Sequence, residues 1–370
     1  MNTMSPLDEL ATLLRPAGGG LYLVSTGKAE QESLQQRLYG AATPEQVRQR
    51  FRDAIEKIAT AKGVLVGVPS DVGAGFRRGA NLGPQGIRLT LLDDGVDLAS
   101  KGVVDLGDVF VVPQLLSDEM LSVEQLTASR RAVYPDVNEA ERAKLPVSPL
   151  SIERRVFELV FALNPKVKPF VLGGDHSTAL PPVQALAAVA PQPWGIVQPD
   201  AHTDLLETRL GIKHCFATWS WHANELLGRK GRLTQVGIRA SGRDRAHWES
   251  TLGVRQFWAK DVLADPQGQL DALLAHVKST GVRGVYFSND IDGTDSKWAD
   301  ATGTPEPNGL EPDWVVELIR RLGREVGLLG GDVMEVAPSL TPTPDSAPRT
   351  LALAARYLRE TVDAALPRRL

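Results

Sequence analysis

Cysteine is almost missing from this chain. The single thiol, Cys215, excludes an internal disulfide and any cysteine-rich zinc site, and a reducing compartment is the natural expectation. Long apolar runs are missing too: no stretch approaches the roughly 18 uninterrupted apolar residues of a membrane helix. The opening segment, MNTMSPLDELATLLRPAGGG, has acidic residues early and no extended apolar core, so it does not read as a secretory signal. Together these absences point to the cytoplasm. Nor is there a surplus of charge. A formal net charge of -4 gives no general attraction for nucleic acid or an anionic membrane, and mild acidity suits metal ions and small cations. Internal repeats and low-complexity tracts are absent as well.

What is present is length and apolar content. The 370 residues, 42% of them hydrophobic, allow two average domains or one large α/β domain with a substantial core. Residues 1–61 differ from the rest: segments 30–39 and 44–60 read as helices with a strongly polar face, after a break at Gly18–Gly20. We read 1–61 as a helical N-terminal extension, packed on a neighbouring subunit or folded as an arm on its own domain. From residue 62 to 370 the pattern is that of a catalytic α/β domain. Short β-rich runs at Val64–Val68, Val103–Leu106, Pro169–Leu172, Trp194–Val197, Leu233–Val236, Gly284–Phe287 and Val326–Leu329 predict strands. Amphipathic stretches at 151–163, 217–227, 261–278, 311–324 and 348–364 predict helices. This alternation implies a mainly parallel sheet covered on both faces, a three-layer αβα sandwich. Segment 113–150, rich in Ser, Pro and charge, breaks the rhythm and is expected as an excursion near the sheet edge.

Polar clusters follow three of these strands: GGDHS after Phe170–Leu172, PDAHTD after Gly195–Val197, and SNDIDGTD after Val285–Phe287. Ligands of open α/β sheets bind at the carboxyl ends of strands, so the three clusters can converge on one site. Residues two apart on an extended chain point to the same side. Asp200, His202 and Asp204 can therefore address one point; Asp290 and Asp292 repeat the device, and His176 adds an imidazole from a tight glycine turn. Each motif alone has an ordinary explanation, since an Asp after a strand often caps a helix or forms a turn. All three together, in this order, do not.

Four carboxylates and two imidazoles in one place would repel without cations between them. One divalent ion needs only part of this set. Two ions about 3.5–4 Å apart, sharing carboxylates and a water, account for all of it. Oxygen-rich donors with imidazole suit Mn²⁺, with Ni²⁺, Fe²⁺ or Co²⁺ also compatible.

These blocks, with ATGTPEPNG at 301–309, resemble the signatures of the ureohydrolase (arginase/agmatinase) superfamily. The segment Val66–Arg88 is similar to its opening strand, loop and helix, and GGDVMEVAP at 330–338 to its late strand motif. The resemblance covers roughly residues 62–365. It implies that His176, Asp200, Asp204 and Asp290 hold one metal and Asp200, His202, Asp290 and Asp292 the other, with Mn²⁺ or Ni²⁺ as the pair. It also implies that Glu335 pairs with a guanidinium and that His214 shuttles a proton, although Cys215 stands where a glycine is usual. A homo-oligomer, trimer or hexamer, is implied in the same way.

The expected reaction is hydrolysis of a guanidino C–N bond with release of urea. Two metals lower the pKa of a shared water to give a hydroxide; Asp204 orients it, Glu335 holds the planar cation, and His214 protonates the leaving group. The substrate end departs from the usual pattern at GTDSKWAD and KHCFATWSW, so Trp298 and Phe216 are candidate substrate contacts. An aromatic cap suits a compact cation, and with the N-terminal extension these features resemble the guanidine hydrolase branch. Free guanidine is therefore the favoured substrate, with agmatine, guanidino acids and formiminoglutamate as alternatives. From other classes, a metal-dependent deacetylase would carry one zinc, and a non-catalytic binding protein would release no urea.

Overall fold

The computed structural model describes residues 4–23 and 25–367. Its centre is one nine-stranded sheet. In chain order the strands are β1 (Leu14–Arg15), β2 (Gly63–Gly67), β3 (Val103–Val109), β4 (Lys168–Leu172), β5 (Gly195–Pro199), β6 (Leu233–Ile238), β7 (Arg255–Trp258), β8 (Val285–Asp290) and β9 (Leu328–Met334). Their spatial order is β1-β3-β2-β4-β9-β8-β5-β6-β7. Every pair is parallel except β1 with β3.

The strands form where they do because their side chains have apolar partners on both sides. Val64, Val66, Val171 and Ile196 enter one core cluster, while Leu65, Phe170, Leu172 and Val197 enter another. That alternation is the two-residue pleat of a sheet buried on both faces. Helices Pro149–Leu163 and Leu180–Leu186 cover one face, and Gly83–Asp93, Pro312–Glu325 and Ser346–Ala365 the other. The architecture is thus a three-layer αβα sandwich.

Residues 4–23 and 25–61 are built into this sandwich. Leu10, Leu13 and Leu14 are fully buried in the first cluster. Glu9 forms a bidentate ion pair with Arg155, at 2.6 and 2.9 Å, and the Asp108 carboxylate accepts from the Gly18 N–H at 2.7 Å. The segment therefore packs against its own chain. Segment 113–150 carries two helices, Val123–Val133 and Glu139–Arg142. The expected helix 261–278 is two, Ala259–Ala264 and Pro266–Ser279. Proline lacks the N–H and crowds the preceding turn, so the helix breaks at Pro266 and Asp265 caps the new start through Gly268 N–H.

The connectivity decides where chemistry can sit. The strands that carry the three motifs and GGDVMEVAP, namely β4, β9, β8 and β5, are consecutive neighbours. All are parallel, so their carboxyl ends open on one side of the sheet. Among the described residues no helix is long and apolar enough to cross a membrane.

Candidate metal centre

Two glycines set the floor of this site. A Cβ on Gly173 would lie 1.8 Å from Met334 Sδ, and one on Gly174 would lie 1.7 Å from the Ser70 carbonyl oxygen. Only bare backbone lets the end of β4 approach β9 and the 70–79 loop so closely. The next residue, Asp175, then binds the Ser177 N–H (2.9 Å) and the Gly73 N–H (3.0 Å), which turns His176 inward and ties the loop to it. Burial pushes the Asp175 carboxyl up to about 6.

His176 Nδ1 lies 2.9 Å from Asp290 Oδ2, 3.4 Å from Asp200 Oδ2 and 3.7 Å from Asp204 Oδ2. On the other side of Asp200, His202 Nδ1 is 3.7 Å from Asp200 Oδ1 and 3.1 Å from Asp292 Oδ2. Donor atoms of His176, Asp200 and Asp204, and again of Asp200, His202 and Asp292, lie within 4.8 Å of one another. The two groups share Asp200. Asp290 joins the first through His176.

The carboxylates are aimed by the backbone. Asp200 Oδ1 accepts from the His202 N–H (2.7 Å), Asp290 Oδ1 from the Asp292 N–H (2.9 Å), and Asp292 Oδ1 from the Ala201 N–H (3.1 Å). Asp204 takes a left-handed φ of 52°, which swings its side chain back toward His176. Arg239 pins the loop after β8 by donating to the carbonyls of Asp292 and Glu306, at 2.7 and 2.8 Å. The imidazole of His176 is oriented as well. Its Nε2 is 3.0 Å from Ser288 Oγ, whose hydroxyl donates to Asp332 at 3.0 Å. With Nε2–H committed to Ser288, Nδ1 is the nitrogen left to face the carboxylates.

Charge in this cluster is out of balance. Burial, with Asp200 beside it, holds the Asp204 carboxyl well above the ordinary range, and burial with Asp292 and Asp200 does the same to Asp290. Burial also lifts Asp200, but hydrogen bonds and charge from His176 and His202 outweigh it and keep this carboxylate low. His176 and His202 are held protonated far above their usual range; burial opposes this, and the surrounding carboxylates prevail. The cluster gathers protons because it lacks positive charge. Divalent cations would meet the same need, and the donor set of carboxylate oxygens and imidazoles without thiolate suits Mn²⁺ or Ni²⁺. Two groups sharing one carboxylate offer two ion positions.

The remaining candidates are spread around this core. Glu335, at a φ of 62° just past β9, accepts the His176 N–H at 3.0 Å. Burial, with Asp175 nearby, raises its pKa well above the ordinary range. Phe216 lines a cavity of about 430 Å³ against His202 and Asp204, with Arg209 4.9 Å over its ring. His214 lies instead in a small cavity with Ser117, Glu119 and Gln184; its Nδ1 is buried without a hydrogen-bond partner, and its Nε2 is 3.5 Å from Glu119. Burial and His222 push its pKa down to about 4. Trp298 is 40% exposed and donates its indole N–H to Glu311, outside that cavity. Sequence reasoning missed Asp175, Ser288 and Asp332, although all three stand inside or beside the quoted motifs.

A model of the arginase family matches residues 61–362. The chain is 30% identical over 291 residues to a guanidinobutyrase of Pseudomonas aeruginosa, which covers 75% of this chain and 80% of that protein. It is 31% identical over 308 residues to a mitochondrial guanidino acid hydrolase of Homo sapiens, covering 82% and 78%. Its fold matches that of an agmatine ureohydrolase of Thermoplasma volcanium with a TM-score of 0.61 and 28% identity, over 85% of this chain and 92% of that one. A shared carboxylate between two donor groups at the ends of four neighbouring parallel strands, and a family match over four-fifths of the length, lead to one conclusion: the chain is a ureohydrolase of the arginase family, an enzyme that hydrolyses guanidino C–N bonds.

Proposed function

We propose that His176, Asp200, Asp204 and Asp290 would hold one divalent ion, Mn²⁺ or Ni²⁺, and that Asp200, His202, Asp290 and Asp292 would hold a second. The observation that supports this is the pair of donor groups sharing Asp200. Two such ions make water a nucleophile at neutral pH, which an unreactive guanidinium carbon requires. Asp204 faces the site of attack and takes the proton. Glu335, buried beside His176, pairs with the planar guanidinium. His214 is the proton donor to the leaving amine in this scheme. For it to act, the loop 213–216 must swing it out of the cavity it shares with Glu119.

The substrate we favour is a guanidino carboxylic acid. The cavity beside His202 and Asp204 has Arg209 and Arg243 on its wall and no carboxylate beyond Asp204. Two cations there suit an anionic tail and repel the amine of agmatine. The names of the two curated relatives, guanidinobutyrase and guanidino acid hydrolase, agree. Free guanidine is the second reading. It is supported by Phe216, whose ring lies where a compact cation could rest. The enzyme works in a reducing compartment, as one cysteine allows, and as a homo-oligomer, trimer or hexamer, as the family resemblance implies.

Urea release tests the proposal. Protein loaded with Mn²⁺ or Ni²⁺ is expected to hold two ions per chain and to turn over 4-guanidinobutyrate at least about tenfold more efficiently than agmatine. Guanidine turned over faster than the acid would establish the second reading. One zinc per chain without urea release would indicate the deacetylase chemistry instead.

A further inference from the structure

Three glutamines lie side by side across strands where an apolar core would be expected. Gln198 on β5, Gln235 on β6 and Gln256 on β7 are register partners, and each is fully buried. Val197, Val236 and Phe257, each next to one of them in its strand, are buried in the apolar core. Apolar side chains would fill these positions without any hydrogen bond to satisfy, so packing gives no reason for amides here.

The bonds between them run in one direction. Trp258 Nε1–H donates to Gln256 Oε1 at 3.0 Å, and Gln256 Nε2 donates to Gln235 Oε1 at 2.9 Å. Gln235 Nε2 donates to Gln198 Oε1 at 2.9 Å, and Gln198 Nε2 donates to Asp200 Oδ2 at 2.7 Å. The sense of the file is fixed at both ends and in the middle. An indole N–H can only donate, an ionised carboxylate only accept, and Gln235 Nε2 also serves the Thr203 carbonyl at 2.6 Å. Ser220 adds a second donor to Gln198 Oε1, at 2.8 Å. Each bond polarises the next, so the last N–H is a stronger donor than an isolated amide.

We infer that the file Trp258–Gln256–Gln235–Gln198 is a positioning device for Asp200, reaching from the edge strand β7 to the carboxylate shared by the two donor groups. Gln198 holds Oδ2 while the His202 N–H holds Oδ1, at 2.7 Å each. Each oxygen is thus fixed by one hydrogen bond and would keep its other lone pair for an ion. A carboxylate free to rotate would lose that orientation. These glutamines are positioning residues; they stand outside the donor groups and act through Asp200. The inference rests on the reading of Asp200 as a metal ligand.

Metal binding by the whole protein tests it, with Mn²⁺ or Ni²⁺ titrated against a chromophoric chelator and unfolding of the metal-free protein followed in parallel. Gln198→Met and Gln235→Met are expected to weaken binding about tenfold to a hundredfold, the range for residues that orient ligands. Gln256→Met should weaken it less, since two rungs separate it from the carboxylate. At saturating metal, kcat should fall with KM unchanged. Variants that bind metal like the wild type, whatever their melting temperature, would overturn the inference. If Gln198→Met does not fold, Gln256→Met decides alone, because it contacts no ligand. Asp200→Asn separates the two levels. Unchanged metal affinity there would remove the reading of the centre itself, whereas loss there with wild-type affinity in all glutamine variants would remove only the file.

Discussion

The indole of Trp219 lies on the imidazole of His176, with 4.4 Å between ring centroids and 25° between their planes. The same indole donates its N–H to Asp204 Oδ2 at 3.1 Å, so one buried side chain braces two residues of the cluster. Two substitutions separate these roles. Trp219→Phe keeps a stacked ring and loses the hydrogen bond; it should cost about 1 kcal/mol of stability and lower kcat more than it lowers melting temperature. Trp219→Ala should destabilise by about 3–5 kcal/mol, the usual cost of removing a buried aromatic. Denaturant unfolding beside steady-state urea release distinguishes them. Equal loss of activity in both would show that the N–H matters more than the stack.

Metal removal should reverse the pH dependence of stability. In the metal-free protein Asp204, Asp290 and Glu335 have raised pKa values, so the folded state keeps protons that the unfolded chain releases. His176 and His202 are raised as well, and the stability they lend below the unfolded histidine value is lost as pH climbs. Both effects have one sign. Asp200 has the opposite sign, but its depressed value acts only below the ordinary carboxylate range. Metal-free protein should therefore lose on the order of 1 kcal/mol per pH unit between about pH 5 and 8. With metal bound, the ligands must be deprotonated, and stability should rise over the same window. Calorimetry with and without chelator checks this; parallel curves would argue against ion binding at this cluster.

The sheet and the cluster were legible in the chain to different depths. Strands β2, β4, β5, β6 and β8 stand out because parallel strands buried on both faces must be runs of Val, Ile, Leu and Phe. The strand β7 does not, because Arg255, Gln256, Phe257 and Trp258 offer a single apolar alternation and its Gln256 is satisfied by a residue on another strand. The apolar run Val326–Leu329 stops short of the end of β9, where Gly330, Gly331 and Asp332 interrupt it; only the resemblance of GGDVMEVAP to a late strand motif pointed there, and β4 and β8 pair with these residues. Five of the six ligand candidates were visible because spacing by two puts them on one side of an extended chain, and His176 because it follows a glycine turn at a strand end. Ser288 and Asp332 were quoted within motifs, yet their role depends on an imidazole from another strand. Nothing local marks Gln235 or Gln256 as distinct from solvent-facing polar residues. Long-range partners, which sequence periodicity does not carry, decided each of these.

Glu153 gives a test outside the ligand cluster. It sits on the helix Pro149–Leu163, fully buried, with no hydrogen-bond partner among the described residues on either carboxyl oxygen. Burial, with Asp332 and Asp175 nearby, raises its pKa well above the ordinary value. The folded state thus holds it neutral, while the unfolded chain ionises it near 4.5. Above that pH this group alone removes up to about 1.4 kcal/mol of stability per pH unit. Glu153→Gln should melt higher than the wild type at pH 8, with the gain shrinking toward pH 5. A gain that is constant across that range, or a loss at pH 8, would mean that Glu153 is ionised in the fold.

The cations beside the cluster set the last prediction. Arg209 and Arg243 line the cavity that opens on His202 and Asp204, and neither has an acidic partner among the ion pairs of the described residues. An anionic substrate tail would supply one, and a hydrogen-bonded charge pair of this kind is worth about 1.5–3 kcal/mol. Removing one arginine should therefore raise KM for 4-guanidinobutyrate by about tenfold or more, since 1.4 kcal/mol is a factor of ten. Free guanidine has no tail to lose, so its KM should stay level in Arg209→Ala and Arg243→Ala. Agmatine, with an amine in place of the acid, should bind better in both variants, because a like charge has been taken away. The three substrates together discriminate among mechanisms. A uniform fall for all three would trace to the loop carrying Phe216, over whose ring Arg209 lies at 4.9 Å, rather than to tail recognition.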